Sequence, residues 1–115
     1  MAYRTYFSIN SIEEKIDGLW TNIHPEKFKA IILKWRENNE DADFIDEYDG
    51  SSVDEMTWYD FVDDALILSK EYPDYLFSFH GIGEESDDIW DHYFLNGLNY
   101  RQYIIMPEFN EKLLK

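Results

Sequence analysis

The chain has 115 residues, 44% of them hydrophobic and 18% aromatic, and a formal net charge of −15. That aromatic content excludes the polar, highly charged composition of intrinsic disorder, and the length suits one domain with its own core, expected over residues 1–115. The absence of cysteine excludes disulfides, a thiolate zinc site and a cysteine nucleophile, while the negative charge opposes direct contact with nucleic-acid phosphates or anionic lipid.

The elements follow in chain order. Tyr3 to Ile9 alternates, with Tyr3, Thr5, Phe7 and Ile9 on one side, and predicts a strand. Ser11-Ile12-Glu13-Glu14 matches a capping box, so a short helical turn to Asp17 is expected; a hairpin closing at Gly18 fits the same residues. His24-Pro25 opens the first long helix, because proline is tolerated where its missing N–H has no intrahelical partner. Phe28, Ile31, Ile32 and Trp35 form its apolar stripe, and Asn38-Asn39 offers a left-handed cap. Glu40 to Ser52 reads as an acidic loop, with room for a short strand, anchored by Phe44, Ile45 and Tyr48.

Val53 to Tyr59 predicts a strand. Asp60 is the expected N-cap of a second helix, with Asp63 and Asp64 in the first turn where the dipole favours carboxylates. Its apolar face is Phe61, Val62, Ala65, Leu66, Leu68 and Tyr72, and Pro73 stops it. Tyr75 to Phe79 predicts a strand, and Gly81-Ile82-Gly83 a bulge or bend. Ile89 to Leu95, the hairpin turn Asn96-Gly97, and Leu98 to Met106 complete a meander before Pro107 and a tail with helical character. The expected class is α+β: a mostly antiparallel sheet of four to five strands with two main helices on one face, in β-α-β-α-β-β-β order.

Trp58-Tyr59-Asp60, Ser69, Tyr72-Pro73, Phe77, Gly81-Ile82-Gly83-Glu84-Glu85, Asp88-Ile89-Trp90, Tyr93-Phe94 and Asn96-Gly97 together make the C-terminal half resemble small uncharacterised α+β proteins of bacteriophages and mobile elements. The resemblance implies a fold and a mobile-element setting, and it carries over no catalytic residue.

Several sites can be weighed from the residues. His80 and His92 stand opposite each other if the hairpin turns at Ser86, close enough to share a metal with Asp88 or Asp91; a structural site wants four ligands, and no metal or other cofactor is expected. The acidic run from Asp41 departs from the calcium-loop pattern, since Ile45 and Asp46 stand where a ligand and a glycine belong. Gly81-Ile82-Gly83 lacks the third glycine of a phosphate loop, and Glu84 and Glu85 would repel phosphate. Trp20, Trp35, Trp58 and Trp90 read as core or core-edge residues. Nothing singles out a nucleophile or a general base, so no catalytic residue and no enzyme activity are expected.

The charge is one-sided. Between Glu37 and Asp91 stand nineteen acidic residues and one basic one, Lys70. Asp60, Asp63 and Asp64 have a local role at a helix N-terminus. Two loop clusters do not, so Glu40, Asp41, Asp43, Asp46, Glu47 and Asp49, with Glu84, Glu85, Asp87 and Asp88, are the expected partner-binding carboxylates. Tyr48 and Tyr59 are the expected aromatic anchors. Carboxylates spaced by helix and strand geometry mimic neighbouring phosphates, which points to a basic protein partner such as a nucleic-acid-handling defence enzyme. The alternatives are an immunity protein that neutralises a basic nuclease toxin, and an acidic surface that serves solubility alone. No signal peptide is expected at Met1 to Tyr6, and the apolar runs are far shorter than the roughly 20 residues that cross a bilayer. A cytoplasmic monomer or homodimer is the expectation.

Overall fold

Period-two alternation in the strands and a 3.6-residue period in two helices build an α+β structure in the computed structural model, which describes residues 3–52, 55–85 and 87–104. Strands β1 (Thr5–Ile16) and β2 (Leu19–Asn22) come first. Helix α1 (Pro25–Asn38), a 3₁₀ turn (Asp41–Phe44) and helix α2 (Phe61–Glu71) follow, and then strands β3 (Tyr75–Gly83), β4 (Ile89–Leu95) and β5 (Leu98–Tyr103). All five strands join one antiparallel sheet in the order β2-β1-β3-β4-β5. The expected class, strand count and helix pair hold; the chain order differs, because β2 precedes α1 and no strand separates α1 from α2 among the described residues.

One face of the sheet is the core. Phe7, Ile9 and Ile12 of β1, Phe77 and Phe79 of β3, and Trp90 and Phe94 of β4 are buried there. Both helices cover that face: Trp35 of α1 and Phe61 of α2 meet the Phe79 ring at centroid distances of 5.8 and 5.1 Å. Phe61 is the hub. Its ring also touches Phe7, Trp58, Trp90, His92 and Phe94, at 4.8 to 6.1 Å.

The helical turn expected at Ser11 to Asp17 is instead strand, and the hairpin at Gly18 is the outcome. The physical reason is a β-bulge. Register shifts between Ile9 and Ser11, so Asn10 is the extra residue and Ile12 returns to the core face that Phe7 and Ile9 share. An apolar spacing of three, from Ile9 to Ile12, imitates a helix when a bulge produces it. The two-residue turn Asp17-Gly18 has φ of 51° and 80°, and Asn96-Gly97 has 46° and 77°, the left-handed pair that matches strand twist.

Helix α1 carries the expected stripe: Ile31, Ile32 and Trp35 are buried and Phe28 packs on the core. His24 caps it, its Nδ1 accepting from the Glu26 N–H at 3.2 Å. Asn39 is extended, with φ −148°, in place of the expected left-handed cap. In the following loop the anchors are Ala42 and Ile45, three apart on one side of the 3₁₀ turn and buried. Phe44 and Tyr48, expected as anchors beside Ile45, are exposed.

Residues 55–59 of the strand expected at Val53 to Tyr59 form only an isolated bridge, at Met56; Val53 and Asp54 lie outside the described residues. The segment instead lines the free edge of β1. Thr5 and Met56 exchange both backbone hydrogen bonds, and Ser52 donates to Phe7 while Ile9 donates to Gly50. Met56 and Trp58 are buried, Thr57 half-buried and Tyr59 exposed, so the alternation reports burial while pairing stops at isolated bridges. Asp60 precedes α2 without a side-chain cap bond.

Gly81 and Gly83 mark neither a bulge nor a bend. Both lie in β3 in regular register with β1, and Gly81 also with β4. The β3–β4 register also separates the histidines: His80 faces Asp91 and Phe79 faces His92, one residue off the arrangement expected from a turn centred on Ser86. Such an offset puts two side chains on opposite faces of a sheet. His92 is therefore in the core, and His80 pairs with Asp91 at 2.8 Å on the uncovered face. Strand β5 ends at Tyr103; the strand end at Met106, Pro107 and the helical tail lie outside the described residues. No helix among the described residues is long and apolar enough to cross a membrane.

Candidate functional site

The loop that follows α1 gives most of its carboxylates to its own backbone or to α1. Asp46 Oδ1 accepts from the N–H groups of Tyr48 and Asp49 at 2.8 and 3.0 Å. Asp49 Oδ1 accepts from the Ser51 N–H and hydroxyl, which hold its carboxyl below the usual range. Arg36 of α1 draws Glu47 to 2.5 Å and Asp43 to 3.4 Å, half-burying Glu47. Tyr48 is 71% exposed, yet its hydroxyl accepts from Lys29, whose ammonium lies 4.8 Å from the ring centroid.

The second loop is tied to the chain start. Glu84 Oε1 accepts from the Arg4 N–H at 3.0 Å. The Tyr3 hydroxyl donates to Asp88 Oδ2 at 2.6 Å and accepts from the Glu85 N–H. The bond to Asp88 holds the Tyr3 phenol above its ordinary range. Glu85 and Asp87 remain exposed.

The crowded acids lie elsewhere. Burial pushes the Asp41 carboxyl above the usual range, and the charges of Asp64, Asp60 and Glu40 push it further. Asp60 and Asp64 at the start of α2 thus lie near enough to Asp41 for their charges to act on it. Asp64 has one structural task, accepting from the Trp58 indole N–H at 2.8 Å, and Asp60 caps nothing. Between described side chains, the Lys/Arg ion pairs to carboxylates come from Arg36, which serves Asp43 and Glu47 only.

Tyr59, expected as an aromatic anchor, and Asp88, expected as a partner-binding carboxylate, line one cleft of about 350 Å³ together with Tyr3, Trp58, Trp90 and Arg101. Its floor depends on two glycines. A Cβ at Gly81 would lie within 3.0 Å of the Trp90 ring, and one at Gly83 would collide with the Asp88 carboxylate and the Tyr3 hydroxyl. Glycine at both positions lets these groups lie directly over β3. Over the Trp90 ring sits the Arg101 guanidinium, 3.9 Å from its centroid. Sequence reasoning missed Tyr3, Trp90 and Arg101 as site residues. The signal was there in Gly81-Ile82-Gly83, where two glycines on one face of a strand announce the close approach of other groups.

Arg101 is held by a relay through the buried His92. Its Nε–H donates to His92 Nδ1 at 2.9 Å, and His92 Nε2 meets Asn99 Oδ1 at 2.8 Å. An imidazole that accepts at Nδ1 is neutral, with its hydrogen on Nε2. Burial lowers the His92 pKa and the Arg101 charge adds to this, against the Asn99 bond, which raises it. Since the folded pKa lies below the unfolded value of about 6.5, the unfolded chain binds the extra proton as pH falls. The stability that neutral His92 contributes is therefore present above about pH 6.5 and lost on acidification. Urea midpoints measured at pH 7 and pH 5 should fall more for the native chain than for His92→Gln; an equal fall would contradict the assignment.

No group of three His, Asp or Glu placed to hold a metal occurs among the described residues. The oxygens of Asp46 and Asp49 that a calcium loop would aim at the ion face backbone N–H groups of their own loop. Neither a protein family, nor a characterised protein, nor a solved structure matches the chain.

Proposed function

We propose that this chain is an acidic inhibitor of phage or mobile-element type. It binds the basic nucleic-acid groove of a host defence protein, such as a CRISPR effector or a restriction nuclease, in the host cytoplasm. The observation that carries the reading is the crowding of Asp41 with Glu40, Asp60 and Asp64, with no lysine or arginine of the described chain paired to them. Repulsion among these carboxylates raises the free energy of the free protein, and a partner's arginines and lysines would relieve it on binding. A phosphate-binding groove supplies such cations in the required density. The mechanism is occlusion, with no catalytic step.

The test uses purified restriction nucleases and CRISPR effectors, with affinity measured at low and at moderate salt and in the presence of competing DNA. The complex should weaken steeply with salt and exclude DNA. Replacing Glu40→Gln together with Asp60→Asn should weaken it about tenfold or more, as expected for two lost charge pairs. An inhibitory complex whose affinity is insensitive to salt, or one that forms equally well on the DNA-bound enzyme, would remove this reading.

A further inference from the structure

The Arg101 guanidinium is the unused cation of the cleft. One face is stacked on Trp90, and Nε is spent on His92. Among the described residues no carboxylate pairs with it, although the chain carries 25 acidic side chains. Its terminal amino groups therefore form a held, half-buried fork with the geometry of a carboxylate receptor. The His92–Asn99 relay and the indole beneath fix its orientation before any ligand arrives.

Asp88 is the counterpart. It lines the same cleft, two residues before Trp90, a spacing of about 6.5–7 Å for groups on one face of an extended chain. The Tyr3 hydroxyl occupies Oδ2, which fixes the carboxylate while Oδ1 stays available as an acceptor. A cation fork and an anion thus flank the Trp90 indole, and Trp58, Tyr59 and Tyr3 supply aromatic walls. The cleft volume of about 350 Å³ lies at the small end of ligand pockets.

We propose that this cleft binds a free α-amino acid with a bulky apolar or aromatic side chain. The ligand carboxylate sits on the Arg101 fork, the ammonium on Asp88 and the side chain against the aromatic walls. Charge selects this class. A net anion is opposed by the −15 field of the whole chain and by Asp88; a net cation is drawn by that field but faces Arg101 and leaves its fork without an anion, whereas a zwitterion meets both fixed charges. An apolar side chain suits the cleft because Trp58, Tyr59 and Tyr3 are among its lining residues.

The experiment is calorimetric titration of the full chain with L-phenylalanine, N-acetyl-L-phenylalanine and L-phenylalaninamide, repeated on Asp88→Asn and Arg101→Gln. L-phenylalanine should bind, and each blocked derivative about tenfold or more weakly, because each leaves one charged hydrogen-bonding group of the cleft unpaired. Asp88→Asn, which keeps a carbonyl for the Tyr3 bond, should abolish the advantage of L-phenylalanine over the N-acetyl derivative. Arg101→Gln should abolish its advantage over the amide. Asp88→Asn decides the matter alone if Arg101→Gln fails to fold. Absence of binding at millimolar L-phenylalanine overturns the proposal, as does equal binding of either blocked derivative to the native chain.

Discussion

Phe61→Ala is expected to lower the unfolding free energy by about 3–5 kcal/mol, the range for truncating a large aromatic in a packed core. Phe61 is only 3% exposed and sits at the first position of α2, where its ring faces six others. Those rings belong to β1, β3, β4 and the segment before α2, so none can close the cavity without leaving another partner. Domains of this size have a total stability of roughly 5–15 kcal/mol, so the variant would be marginal. The melting temperature should drop by roughly 10–20 °C. A loss below about 1.5 kcal/mol, the upper end for conservative core swaps, would show that α2 can settle onto the sheet without this ring.

Gly81→Ala is expected to cost about 3 kcal/mol, at the upper end for added volume in a packed core. The new methyl would overlap the indole of Trp90. That indole has nowhere to go, because Phe7 and Phe61 pack against it and Arg101 covers its ring. The signature of this mechanism is non-additivity. In the double variant Gly81→Ala/Trp90→Phe the smaller ring makes room, so the double variant should be more stable than the sum of the singles by about 1 kcal/mol or more. Strict additivity would show that the added methyl and the Trp90 indole do not compete for the same space. The same substitution should disturb the cleft, since Trp90 carries the Arg101 fork.

Much of the candidate surface was legible residue by residue, but its energetic ranking was not. Asp43, Asp46, Glu47 and Asp49 look superfluous to folding in a linear reading, yet each serves a hydrogen bond or ion pair within the loop or with α1. Asp60 and Asp64 look committed to helix capping. In the fold Asp60 caps nothing, and both press on Asp41. The reason is physical: a capping bond needs a suitable local φ and ψ, and Asp60, with φ −98° and ψ 21°, does not take the usual β-region cap conformation. Repulsion, by contrast, depends on which loops meet in space.

Helices α1 and α2, strands β3 to β5 and the Asn96-Gly97 turn follow from local periodicity and turn chemistry, and so does the antiparallel α+β class. These features depend on residues within a few positions of each other, where alternation, helical spacing and positive φ operate. Tertiary structure alone decided the bulge that extends β1 through Ile12, the one-residue register that parts His80 from His92, and the placement of residues 55–59 along the β1 edge. It also decided that Arg101, Trp90, Asp88 and Tyr3 meet over two glycines. Each of these depends on the strand or loop that lies beside a residue, and pairing partners far apart in the chain leave no local trace except where a glycine makes room for them.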